Sequence, residues 1–259
     1  MISSRVRYLV FGDVHGNLAA LDAVLADADA RGYDAVAFLG DAVGYAPDAG
    51  AVVRRLIDLD PAVAVAGNHD VDLLALHDDV PLEAALDADA REVLRRQAAT
   101  LDDDAIAWLR ARPRHWVGSA FEAHHGAPGD PWRYLTDLAT ADASLDALRT
   151  PLAVVGHTHV PCALLFVDRP DGGRTGRVVP LEGDPAPYDV PAHARGFFNP
   201  GSVGQPRDGD PRAAYGLLEV GPPHRLQVVR VPYDVAVPRA AIRAAGYPDR
   251  FGARLEVGR

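Results

Sequence analysis

Four apolar, β-forming runs in this chain each stop at a glycine, and metal-capable side chains follow each glycine at once. Residues 6–11 (VRYLVF) lead into Gly12-Asp13-Val14-His15-Gly16-Asn17, and residues 35–39 (AVAFL) lead into Gly40-Asp41. Residues 62–66 (AVAVA) lead into Gly67-Asn68-His69-Asp70, and residues 152–155 (LAVV) into Gly156-His157-Thr158-His159. A fifth cluster, His124-His125-Gly126, closes the strand candidate 119–124. Residues 17–31 and 48–58 carry apolar side chains at helical spacing. Strands alternating with helices imply parallel pairing through crossover helices. In open α/β sheets ligands bind beyond the carboxyl ends of the strands, so these clusters are expected to meet at one sheet edge.

The second half changes character. Residues 71–112 read as a helical insertion with acidic, solvated ends. Residues 163–167 read as a strand, and the Pro/Gly-rich stretch 168–196 as a loop or hairpin insertion. Residues 215–220 and 226–231 flank Gly221-Pro222-Pro223 and predict an antiparallel hairpin. A short helix over 237–245 and an irregular tail close the chain. One domain over 1–259 is the expectation, since no boundary separates two cores.

Composition narrows the classes. With 48% hydrophobic residues the chain can bury a core, which excludes disorder. No apolar run approaches the ~20 residues of a bilayer span, and no export signal opens the chain, so no membrane association and a cytoplasmic location are expected. A net charge of -10 argues against a broad nucleic-acid surface. Lysine is absent, so all 26 basic side chains are arginine, and any basic grip on a phosphate is an arginine's. The single cysteine, Cys162, rules out an internal disulfide and a multi-thiolate zinc site, and reads as a small buried residue.

The residue types at the strand ends suit a two-metal centre. Asp13 and His15, two apart in an extended turn, can reach one ion, and Asp41 has two oxygens with which to bridge two. An Asn carbonyl and several imidazoles complete mixed N/O shells, which suit Mn, Fe, Co, Ni or Zn better than Ca or Mg. Two such ions roughly 3.5–4 Å apart clamp a phosphate and activate a water for in-line attack. Each cluster alone would read as a turn or a helix cap. Their joint occurrence is what carries the inference.

The ordered set GDVHGN, GDAVGY, GNHD, HHG and GHTH resembles the calcineurin-like metallophosphoesterase superfamily, and in particular its small prokaryotic phosphodiesterase branch. FFNPGSVGQPR, at 197–207, is similar to a segment of that branch, and the likeness runs from residue 6 to about 235. It implies an α/β fold: a four-layer α/β/β/α sandwich of two mixed sheets with a di-metal site at the strand C-terminal edge. It further implies that Asp13, His15 and His159 bind one divalent ion, that Asn68, His125 and His157 bind a second, and that Asp41 bridges. His125 is preferred over His124 because the family's ligand directly precedes a glycine. His69 would be the outer-sphere imidazole that protonates the leaving alkoxide or stabilises the attacked phosphate, with Asp70 orienting it.

The protein-phosphatase branch carries an arginine soon after the bridging aspartate. Residues 41–47 here (DAVGYAP) have none, which favours a small diester or nucleotide over a phosphoprotein. The implied activity is metal-dependent hydrolysis of a phosphodiester. The alternatives are hydrolysis of dinucleoside polyphosphates or nucleotide pyrophosphates on the same metals, and, in another class, a metal-bound interaction scaffold. Retention of His69 disfavours the scaffold. Asn199 and Arg207 are candidate substrate contacts, with Arg133 and Arg195 behind them. For Asn199 a turn-forming role is equally open, since NPGS is a turn sequence. His77, His115, His193 and His224 lie outside the motifs and read as ordinary residues.

Overall fold

The computed structural model describes residues 5–181 and 186–259. Two six-stranded mixed sheets form its centre. In the first, β1 (Val6–Phe11) pairs in parallel with β2 (Ala35–Phe38), which pairs in parallel with β3 (Val63–Ala64). On its other side β1 runs antiparallel to β11 (Ala213–Val220), followed by β12 (Arg225–Val231) and the short β9 (Tyr188–Asp189). The second sheet runs β4 (His115–Val117), β5 (Glu122–His124), β6 (Leu152–Val154), β10 (Ala194–Asn199), β7 (Cys162–Asp168), β8 (Arg174–Pro180), with β5, β6 and β10 mutually parallel. Each sheet therefore has a parallel half, whose strand ends carry the motifs, and an antiparallel half that completes it.

Strand side chains alternate between faces, and that alternation sorts the apolar residues into three packed layers. Leu9 and Phe11 of β1, with Tyr215 of β11, face the helices α1 (Leu18–Arg31) and α2 (Ala49–Leu59). Val10 faces the other way and meets Val154, Leu165 and Phe198 of the second sheet. Ala153, Leu164 and Phe197 turn outward onto α6 (Leu138–Leu145). The result is helix, sheet, sheet, helix, the four layers that the motif set implied.

Residues 71–112 are helical as expected. They complete α3 (Asn68–His77) and form α4 (Ala88–Ala98) and α5 (Asp103–Arg110). Within 168–196 the chain turns back from β7 into β8 as a hairpin, and β8 and β9 each lie at one edge of a sheet, while residues 182–185 of that stretch lie outside the described residues. The tail is not irregular. After α7 (Ala236–Ala244), Pro248 opens α8 (Asp249–Val257), whose Phe251 and Leu255 pack with Ala90, Val93 and Ile242. Phe251 and Leu255 are four apart, one above the other on a helix face, and that spacing was readable in the sequence.

Phe198 lies at the centre of the inter-sheet layer and is fully buried. Phe198→Ala is expected to cost about 3–5 kcal/mol. A fall in the denaturant midpoint with secondary structure retained is the expected reading.

Candidate metal centre

The ends of β1, β2, β3, β5 and β6 bring every candidate ligand to one edge. The chain reaches it in a costly conformation. Asp13, His15, Asp41, His157 and His159 all have left-handed backbone, with φ of 52°, 50°, 58°, 68° and 62°. Such geometry costs on the order of 1–3 kcal/mol per non-glycine residue and persists only where surroundings enforce it. Backbone hydrogen bonds between the loops do so: Asp13 N donates to Gly40 O (2.9 Å), Val14 N to Asp41 O (2.9 Å) and Gly204 N to Asp13 O (2.9 Å). The strand-end glycines permit the approach. A Cβ on Gly67 would fall 2.0 Å from Asp41 Oδ1.

Each carboxylate is tied by one oxygen. Asp41 Oδ1 accepts from His69 N (2.8 Å), which leaves Oδ2 at 3.6 Å from His15 Nε2 and 3.4 Å from His125 Nε2. Asp13 Oδ2 accepts from His157 N (3.1 Å), and its Oδ1 is buried without a hydrogen bond, 3.2 Å from His159 Nε2. The imidazoles are tied in the same way. The outer nitrogen of each meets a backbone carbonyl: His15 Nδ1 at Val43 O (3.0 Å), His125 Nδ1 at Leu39 O (2.8 Å), His157 Nε2 at Trp132 O (3.1 Å) and His159 Nδ1 at Gln205 O (2.5 Å). A carbonyl can only accept, so each outer nitrogen carries the proton and the inner one faces the centre. There His15 Nε2 and His159 Nε2 stand 3.2 Å apart, and His125 Nε2 lies 3.0 Å from His157 Nδ1 and 3.2 Å from Asn68 Oδ1.

Buried acceptors crowded at such distances need a positive charge between them. The atoms fall into two groups, Asp13–His15–His159 and Asp41–Asn68–His125–His157, and Asp41 Oδ2 lies against both. This donor set fits divalent transition ions. His69 also comes within reach, grouped with His15 and Asp41, and its Nδ1 is buried with no partner. Its ring lies 4.7 Å from that of His15 and 4.8 Å from that of Tyr45.

Two expected roles change. Asp70 does not orient His69. Its carboxylate accepts from Asp41 N (2.7 Å), Ala42 N (2.8 Å) and Gly67 N (3.0 Å), so it holds the bridging loop and caps α3. Both residues lie in the first turn of α3, where consecutive side chains diverge by about 100° and do not face each other. Asn199 is no substrate contact. It donates to Gly156 O (2.8 Å) and Thr158 Oγ1 (2.9 Å) and accepts from Gly201 N (2.8 Å), which spends the group on fixing two turns.

Arg207 does flank the centre, its N–H donating to His159 O (3.3 Å). Arg195 instead caps the end of α6, and Arg133 pairs with Asp130 at the surface. His124 points away from His125, with its Nε2 3.0 Å from Glu122 Oε2 and its ring stacked on His115. Cys162 is half-buried on β7, and burial raises its thiol to about 11.

Residues without a motif complete the site. Gln97 of α4 accepts from Gly44 N (2.8 Å) and donates to Ala46 O (2.7 Å), propping the loop beneath His15 and His69. The exposed Tyr134 stacks on His157 at 4.0 Å. A buried glutamine and a rim tyrosine leave no pattern in a single sequence.

Burial opposes protonation of His15, His157 and His159, taking His157 to about 3. His125 differs. Burial is the largest single influence and opposes its charge, but the Asp41 and Asp13 carboxylates and the Leu39 carbonyl together overcome it and raise it to about 9. At pH 7 the metal-free protein thus holds a proton on His125 that an ion must displace. Metal binding is expected to release protons at pH 7, His125 contributing progressively less above pH ~9. Calorimetric enthalpies of binding should therefore vary with the buffer's ionisation enthalpy at pH 7, and an enthalpy independent of buffer would contradict the assignment.

A family model described as the calcineurin-like phosphoesterase superfamily domain matches residues 6–221. The chain is 30% identical to an uncharacterised protein of Methanocaldococcus jannaschii, over 96% of this chain and 97% of that one. It is 36% identical over 148 residues to a symmetrical bis(5'-nucleosyl)-tetraphosphatase of Bordetella pertussis. That match spans 54% of this chain and 50% of the enzyme. The crystal structure of a metallophosphoesterase from Sphaerobacter thermophilus superposes with a TM-score of 0.80 at 33% identity, covering 99% of this chain and 100% of that one.

Proposed function

The chain belongs to the calcineurin-like phosphoesterase superfamily, and we propose that it hydrolyses a small phosphodiester at a centre of two divalent ions held by the strand-end cluster. One observation carries this reading: Asp41 Oδ2 lies between the imidazoles of His15 and His125, with the remaining ligands of each ion already grouped behind them. Asp13, His15 and His159 would hold one ion, Asn68, His125 and His157 the other, and Asp41 both. Bound there, two such ions supply Lewis-acid polarisation of the phosphate and a nucleophilic water at neutral pH. Mn, Fe, Co, Ni and Zn all suit the donor set.

The chain's own residues supply the rest. The carbonyls of Val43, Leu39, Trp132 and Gln205 fix the imidazole tautomers, so the ligands need no rearrangement. His69 Nδ1 is buried with no hydrogen-bond partner among the described residues. Burial lowers its proton affinity, so at pH 7 it presents a neutral ring with one N–H. That favours donation to a phosphate oxygen over delivery of a proton to the leaving alkoxide. Asp70 acts through the loop that it braces.

The tetraphosphatase relatives support a second reading, hydrolysis of a dinucleoside polyphosphate at the same centre. A scaffold role is disfavoured by the free nitrogen of His69. Among the described residues no helix is long and apolar enough to cross a membrane.

The test is hydrolysis of a chromogenic phosphodiester by protein stripped with chelator and then reloaded with Mn or Ni. Activity should vanish and return. Folded, metal-loaded protein that turns over no phosphoester would falsify the reading. His69→Ala is expected to lower kcat by about a hundredfold or more with metal content unchanged, and a loss of metal instead would make His69 a ligand.

A further inference from the structure

Beside the candidate ligands lies a second group of polar side chains, whose uncommitted atoms are donors. Gln205 is buried, and its backbone oxygen receives His159 Nδ1. Its side-chain Oε1 accepts from Arg207 Nη2 (3.0 Å), while its Nε2 is buried with no partner. Arginine can only donate, so the amide's orientation is fixed and the orphan atom is a donor. Arg207 is half-buried next to His159.

A third donor arrives from α8. The Tyr45 ring, already against His15 and His69, meets Phe251 edge-on at 5.0 Å. Arg254 follows Phe251 by three residues and so shares its helix face. Gly209 N donates to Gly258 O (2.9 Å), which ties the end of α8 to the loop that carries Arg207. The loop that carries Arg207 and the helix that carries Arg254 thus meet beside Tyr45.

No carboxylate neutralises this pair. Asp208 is taken by the buried Arg230 and Asp210 by Arg212, while Arg254 has no ion-pair partner among the described residues. Surface arginines elsewhere in this chain pair readily, Arg239 with Glu256 and Arg243 with Asp249 on the neighbouring turns.

We propose that Arg207, Arg254 and the Gln205 amide form a second anion site at the mouth of the centre, one that holds a phosphate other than the one attacked. Guanidinium forks match phosphate oxygens, and two cations plus an orphan N–H leave a need that only acceptors satisfy. The preferred substrates would then carry two or more linked phosphates, as in a nucleotide phosphoanhydride. This rests on the reading of the centre as a phosphoesterase site.

The experiment compares inorganic pyrophosphate with inorganic phosphate by calorimetry on the metal-loaded protein, in wild type and Arg254→Ala. The wild type should prefer pyrophosphate by about tenfold or more, and the variant should lose most of that preference, with Arg254→Lys regaining part of it. Arg243→Ala, which removes a paired surface arginine, should keep the preference. Equal pyrophosphate-to-phosphate ratios in wild type and Arg254→Ala would overturn the subsite. In parallel, Arg254→Ala should lower the ratio of kcat/KM for diadenosine tetraphosphate over bis(p-nitrophenyl) phosphate by about tenfold, through KM. A wild type that binds pyrophosphate preferentially but hydrolyses neither ester would sink the phosphoesterase reading and keep the subsite. Hydrolysis of both esters without the binding preference would do the reverse.

Discussion

The site depends on a division of labour within each buried polar group. One atom of every key ligand is satisfied by the backbone, and the other is left facing its neighbours. Asp13 gives Oδ2 to the His157 amide and keeps Oδ1, Asp41 gives Oδ1 to the His69 amide and keeps Oδ2, and four imidazoles give one nitrogen each to a carbonyl. The residues that carry the remaining atoms are buried. Unpaired buried acceptors are costly, by about 1–3 kcal/mol for each neutral group and more for a charged one. Divalent cations, as proposed, would complete this arrangement.

Holding the arrangement consumes much of the surrounding structure. Left-handed backbone at Asp13, Asp41 and His157 turns the chain sharply as it leaves each parallel strand. Those turns would relax without the groups that brace them. Asp70 clamps three amides of the 41 and 67 loops, Gln97 supports the 44–46 loop, and Asn199 fixes the turn that carries His157 and His159. Asn17 closes the opposite side, capping α1 at Ala20 N while donating to Gly204 O. These polar residues lie one step behind the ligands, and their hydrogen bonds are what make the centre rigid.

The clustering of the candidate ligands was legible in the sequence because chemistry and topology point to the same places: a parallel strand must end at the sheet edge, and each of these ends in a glycine and a donor. His125 was separable from His124 only by its place before a glycine; strand alternation sends His125 toward Asp41 and His124 toward Glu122. Asp70 was misread because adjacency in sequence is not adjacency on a helix. Asn199 was read both ways because a turn residue and a phosphate contact look alike before their partners are seen. The edge strand β9 is two residues long, and α6 and α8 are short helices of eight and nine residues, too brief for periodicity to stand out. What α8 contributes at the rim, through Phe251 against Tyr45, is a long-range contact that no local pattern encodes.

In the proposed centre Asp41 would serve both ions. The most direct measurement is the metal-to-protein ratio of the Mn-loaded chain by elemental analysis, alongside Asp41→Asn. The account predicts about two ions per chain in the wild type and fewer than about one in the variant, because Asn lacks the charge that a shared oxygen needs. A wild type that saturates at one ion, or a variant that still binds two, would contradict it.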